Sequence, residues 1–212
     1  MSDELINCPL SSLEFTALDL ETTGLYPGDS EILEIGALRF NRDKVVSEYR
    51  SFMRPVRPIP PDATRINGIT FSMVEHSPPP DLVLKDFFQF SLDSILGIQN
   101  AAFDLSFLLY QPNLIHTDFL NLPVFCTVQM SRKVFPKFQK YNLNSLRMNL
   151  SIPEHRARTG SLTGIHEALD DSFAAMEVFK RAVSSKDAWD KTFIEFVHHE
   201  KGYKFVKDFK KK

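Results

Sequence analysis

At 212 residues, with 43% hydrophobic and 25% charged side chains, the chain has the balance of one globular domain with at most a short appendage. A net charge of -2 excludes a broad basic face that wraps long nucleic acid, so substrate phosphates would have to be offset locally, by bound cations. Two cysteines, Cys8 and Cys126, exclude a disulfide framework. No apolar run is long enough for a bilayer and the acidic N-terminus lacks a signal-peptide core, so a cytoplasmic protein is expected.

In chain order, apolar-rich runs over 13–21 (LEFTALDLE) and 31–40 (EILEIGALRF) predict two strands, separated by turn formers from Thr22 to Gly28. Residues 45–53 predict a third strand, ending at Arg54-Pro55. A Pro-rich stretch leads into a short helix over 62–66, and Pro78-Pro79-Pro80 opens another over 82–92. Strands over 94–99 and 124–128 flank a helix beginning at Phe103, and helices follow over 143–149 and 167–182. In the last of these, Leu169, Phe173, Met176, Phe179 (or its neighbour Val178) and Val183 recur every three or four residues, which marks one buried stripe. Three strands followed by alternating helix and strand imply an α/β fold with a mixed sheet. The expected organisation is an N-terminal extension over 1–12, a main domain over 13–183 and a helical, Lys-rich extension over 184–212. Trp189, Phe193, Phe196 and Val197 at helical spacing are expected to dock on the domain, and residues 201–212 to fray into solvent.

Three places carry acids where acids are costly. Asp19 sits in a strand that is apolar on both faces, and Glu21, two residues on, projects from the same side. Such a pair repels unless a proton or a cation intervenes; alternatively it is a solvated pair at a strand end. Asp104 is the single charge in Ala101-Ala102-Phe103-Asp104-Leu105-Ser106-Phe107-Leu108-Leu109, or else a first-turn acid of that helix. Beyond a glycine-bearing segment, His166 precedes Asp170 and Asp171. His166 and Asp171 lie about 140° apart on an ideal helix, so they share a site only if His166 stands on the loop or first turn. An i,i+4 pair of His166 with Asp170 is the plainer alternative. His166-Glu167 also begins like HExxH, but Asp170 occupies the second histidine's place, which rules that pattern out.

Asp19, Glu21, Asp104 and Asp171 converging on one pocket would offer only oxygen ligands, which select Mg²⁺ or Mn²⁺ over zinc. Two such ions about 4 Å apart clamp the attacking and leaving oxygens of a phosphodiester. A histidine with a pKa of about 6.5 suits proton removal from the attacking water.

With these residues in place, Asp19-Leu20-Glu21-Thr22-Thr23-Gly24-Leu25, Asn100-Ala101-Ala102-Phe103-Asp104-Leu105-Ser106-Phe107-Leu108 and His166-Glu167-Ala168-Leu169-Asp170-Asp171 resemble the three motifs of the DEDDh family of 3′→5′ exonucleases. Within it the chain is most similar to the epsilon proofreading subunit of bacterial DNA polymerase III and its stand-alone relatives. The resemblance runs from about Phe15 to Val183. It implies an RNase H-like fold, a mixed five-stranded sheet flanked by helices, and two Mg²⁺ or Mn²⁺ ions. Asp19, Glu21, Asp104 and Asp171 would hold the metal, with Asp104 bound more loosely or through water. His166 would be the general base. The backbone around Thr22, Thr23 and Gly24 would hold the terminal nucleotide, with Leu25, Asn67 and Phe103 near its sugar and base. Two departures bear on substrate grip: Asn67 and Gln99 stand where the family often has histidine.

The resemblance also implies nucleic acid with a free 3′ end as substrate, DNA favoured because Thr22 follows Glu21 where oligoribonucleases usually carry Met. An RNA-trimming exonuclease and a catalytically silent binding module are the alternatives. A DNA polymerase is the candidate protein partner, although the Lys-rich end lacks the Gln-rich linker usual in epsilon subunits.

Overall fold

The computed structural model describes residues 2–111, 117–155, 167–198 and 203–209. Along the chain run α1 (Ser2–Leu5), β1 (Phe15–Thr22), β2 (Ile32–Phe40), β3 (Val45–Phe52), α2 (Pro61–Asn67), α3 (Phe71–Val74) and α4 (Pro80–Ser91). Then come β4 (Ile95–Ile98), α5 (Ala101–Leu109), α6 (Thr117–Leu120), β5 (Pro123–Cys126), α7 (Thr127–Val134), α8 (Leu143–Leu150), α9 (Ala168–Ser185), α10 (Phe193–His198) and β6 (Tyr203–Phe205).

The strands form one mixed sheet in the order β3-β2-β1-β4-β5-β6. β1 pairs antiparallel with β2 and parallel with β4, so it is central, which accounts for its apolar residues on both faces. The five strands expected from the sequence are present, and a sixth joins them. Tyr203–Phe205 pair antiparallel with β5, so part of the Lys-rich end that was expected to fray closes an edge of the sheet. The signal was too short to read: three residues with a lysine between two aromatics lack the apolar run that marks a strand.

Helices cover both faces. On one side, Leu18, Leu20, Leu96 and Val124 meet Leu84, Phe87 and Phe88 of α4 and Leu105 and Leu108 of α5. Gln89, Phe90 and Ser91 belong to this helix, as expected. On the other side, the ring of Phe179 in α9 lies 4.6 Å from Phe15 of β1 and 4.5 Å from Phe125 of β5. Phe193, Phe196 and Val197 join this second core, so the aromatic stripe near the C-terminus docks on the domain. Among the described residues no helix is long and apolar enough to cross a membrane.

Gly36 sets how closely α9 approaches. A Cβ there would overlap the backbone at Ala168 and Leu169, so only glycine lets the first turn of α9 lie directly on β2. Ser172 secures the contact by donating its hydroxyl to the Gly36 carbonyl at 2.8 Å.

Candidate active site

Gly36 is also the cross-strand partner of Asp19. The close approach that it permits therefore brings the start of α9 beside Asp19, which is half-buried in the middle of β1. Carboxylate oxygens of Asp19, Glu21 and Asp171 lie within 4.8 Å of one another. Asp104 enters from α5 on the opposite layer, and its Oδ1 accepts a hydrogen bond from the Leu20 backbone N–H at 3.2 Å. Four acids from three separate elements thus meet at the C-terminal end of β1.

Their electrostatics follow from that crowding. Packing of protein around Asp19 raises its pKa well above the ordinary value, and the carboxylates of Asp104, Asp171, Glu21 and Glu34 push in the same direction. Asp104 is pushed up to about 8, chiefly by burial; hydrogen bonds from backbone amides, its own and that of Leu20, oppose the shift, and the Asp171 charge adds to it. Three carboxylates within ligand reach form an all-oxygen donor set that fits a hard divalent cation.

Asp170 and Asp171, adjacent in sequence, part ways. Asp171 joins Asp19 and Glu21, whereas Asp170 pairs with the Arg147 guanidinium and accepts the His155 backbone N–H at 2.5 Å. Burial raises the Asp170 pKa, while the His155 hydrogen bond and Arg147 hold it down. Arg147, on α8, also donates to the Asp170 carbonyl at 2.7 Å and reaches Asp171 Oδ1 at 3.4 Å. His166, expected as the base, lies outside the described residues.

The remaining expected residues surround the end of β1. The Thr22 hydroxyl donates to the Gly24 carbonyl at 2.7 Å. Thr23 closes the neck of the β1–β2 loop: its N–H donates to the Glu31 carbonyl and its hydroxyl accepts from the Glu31 N–H, both at 2.9 Å. Leu25 projects from this loop, 69% exposed. Asn67 is buried and spends its amide on backbone, donating to the Thr22 carbonyl at 3.3 Å and accepting from the Ile69 N–H at 3.0 Å. It braces the loop from beneath and offers no open polar group on the surface. Phe103 is half-buried, its ring 5.2 Å from that of Phe107. Gln99 donates to the Tyr141 carbonyl at 3.0 Å and accepts from the Thr127 hydroxyl, so it is a strut between segments.

Two residues with evident roles at the site were not singled out from the sequence. Glu34, fully buried, stands opposite Glu21 in the register and pairs with Arg50 Nε at 2.7 Å. It carried the same signal as Asp19, one acid within an apolar strand. Arg147 carried none, because its partners are 23 and 24 residues away.

This combination, an α/β sheet with helices on both faces and an acid cluster at the end of its central strand, defines a nuclease of the 3′→5′ exonuclease class. The sequence profile of the exonuclease family (RNase_T) matches residues 16–179, and the chain belongs to that family. Among its relatives, the DNA polymerase III subunit epsilon of Treponema pallidum is 34% identical over 80% of this chain and 76% of the relative. The DNA polymerase III subunit epsilon-like protein of Rhodobacter capsulatus is 38% identical over 87% of this chain, which spans 26% of that longer protein. In fold, the chain resembles exonuclease X in complex with 5′ overhanging duplex DNA (TM-score 0.62, 23% identity, 86% of this chain and 98% of the other). It equally resembles a 3′-exonuclease that recognises a histone mRNA stem-loop (TM-score 0.65, 15% identity, 84% and 83%).

Proposed function

We propose that this chain hydrolyses phosphodiester bonds one at a time from the 3′ end of DNA, as a proofreading or repair exonuclease. The observation that carries the proposal is the convergence of Asp19, Glu21 and Asp171 within 4.8 Å, with Asp104 adjoining. These acids would hold two divalent cations, Mg²⁺ or Mn²⁺, with Asp104 the more loosely engaged. When bound, the cations supply charge stabilisation for the attacking and leaving oxygens.

The chain's own groups do the rest. The backbone of Thr22, Thr23 and Gly24, stiffened by Glu31 and braced by Asn67, seats the terminal nucleotide. Leu25, exposed at the loop tip, and Phe103 pack against its sugar and base. His166 takes the proton as a water oxygen attacks phosphorus. The bond from phosphorus to the O3′ of the penultimate nucleotide breaks, giving a nucleoside 5′-monophosphate and a strand shortened by one. A polymerase is the partner that the similarity to epsilon subunits suggests.

The test uses 5′-labelled single-stranded DNA and RNA of one sequence, incubated with Mg²⁺, Mn²⁺ or EDTA. A ladder shortening from the 3′ end, abolished by EDTA and reduced by roughly 10³-fold or more in Asp19→Ala and His166→Ala, is the expected result. Faster digestion of RNA would overturn the DNA assignment. No digestion under any condition would overturn the enzyme assignment.

A further inference from the structure

The charge of the chain is segregated. Between Asp118 and Glu154 there is no acid, although the whole sequence has 27; the same stretch holds five cations, Arg132, Lys133, Lys137, Lys140 and Arg147. The rest of the chain therefore sets 20 cations against 27 acids, and a net charge of -2 conceals an acid-free basic stretch. This stretch contains α7, the loop from Phe135 to Asn142, and α8. Arg132, Lys133, Lys137 and Lys140 are all exposed.

Aromatic side chains are interleaved with these cations. The rings of Phe135 and Phe138 stack at 5.1 Å, both only partly buried, and the Arg132 guanidinium lies 5.8 Å from the centre of the Tyr141 ring. Cations beside aromatic faces are what single-stranded nucleic acid uses, phosphates on the former and bases on the latter. The surface is also held in place. Tyr141 donates its hydroxyl to the Phe135 carbonyl at 2.9 Å, which closes the loop on itself.

Two struts join this surface to the acids. Gln99, just before the Asn100–Asp104 segment, donates to the Tyr141 carbonyl at 3.0 Å. Arg147, at the other end of the basic stretch, reaches Asp170 and Asp171. The basic stretch is therefore tied to Gln99, at the entry to the segment that carries Asp104, and through Arg147 to Asp170 and Asp171.

We propose that Lys133, Lys137 and Lys140, with Arg132 on its aromatic support, form the track on which the phosphate backbone of the substrate strand lies as its 3′ end enters the acid site. The proposal deepens the nuclease assignment and rests on it for the strand's direction, but the track itself is a binding surface that can be measured without hydrolysis.

The test is the full chain carrying Lys133→Ala, Lys137→Ala and Lys140→Ala together, compared with the wild type. All three side chains are solvent-exposed, and an unchanged Tm verifies that the fold is kept. Binding of a fluorescein-labelled single-stranded DNA oligonucleotide is followed by anisotropy in EDTA across a salt series. The expected result is affinity lower by on the order of tenfold at low salt, with the slope of log K against log salt shallower by about 2, as for three lost phosphate contacts. Hydrolysis of the p-nitrophenyl ester of thymidine 5′-monophosphate, which occupies the terminal-nucleotide seat and the acids but is too short for the track, stays at the wild-type rate. Equal affinity and equal slope in the two proteins would overturn the track, as would a wild type that binds no oligonucleotide. If the substitutions weaken binding while the wild type hydrolyses neither strand nor ester, the track stands and the nuclease assignment falls.

Discussion

Asp104 titrates near 8 because protein packs around its carboxyl, whereas an aspartate in the unfolded chain titrates near 3.8. The folded state therefore holds a proton that the unfolded state has released across the interval between those values. Stability from this group is full below the lower value and declines as pH rises toward the upper one. Asp19 shifts in the same direction and adds to the trend. In EDTA, Tm should thus fall between about pH 4 and about pH 8, and Asp104→Asn should flatten the decline. Mn²⁺ should raise Tm more at the higher pH, where the carboxylates would otherwise be charged and uncompensated. A Tm that rises with pH in EDTA would contradict this account.

Arg147 makes a second prediction at the same scale. Its guanidinium binds the Asp170 carboxylate and carbonyl and touches Asp171, so Arg147→Ala leaves a partly buried carboxylate without its counter-charge. The expected loss is about 1–3 kcal/mol of stability by denaturant titration. Weaker Mn²⁺ binding should accompany it, because Asp171 loses a support. Arg147→Lys should restore the charge but not the forked geometry, and so recover only part of both.

Among the elements, α9 is the one whose placement decides the site. Gly36→Ala forces the helix start off β2 or bends the strand, at a cost of about 1–3 kcal/mol. Because Asp171 sits in that first turn, Mn²⁺ affinity should fall together with Tm. A variant that lost stability and kept its metal affinity would show that the helix start is not what sets the acids. This element also shows where sequence reading stops. The stripe of α9 and the isolated acid of β1 were legible, since each is written in local spacing. That Gly36 faces Asp19, and Glu34 faces Glu21, depends on the pairing of β1 with β2, and no local pattern records the register. The roles given to Thr22, Thr23 and Gly24 came from family resemblance; the bracing of that loop by Glu31 and Asn67 became visible only with the chain folded.

For the whole molecule, the C-terminal segment is part of the fold. Val206 is fully buried, and Tyr203–Phe205 cover the edge of β5. Deleting residues 201–212 should cost about 2–4 kcal/mol and bare a sheet edge. The deletion variant should show both a lower Tm and concentration-dependent association by light scattering; a variant as stable and monodisperse as the full chain would contradict this. Acids from β1, α5 and α9 have a further meaning during synthesis. Asp171 is the last of the four to leave the ribosome, more than 150 residues after Asp19. A nascent or interrupted chain that stops short of α9 thus lacks one of the four acids on which the proposed function rests, and the cluster is complete only when the second core can close over the sheet.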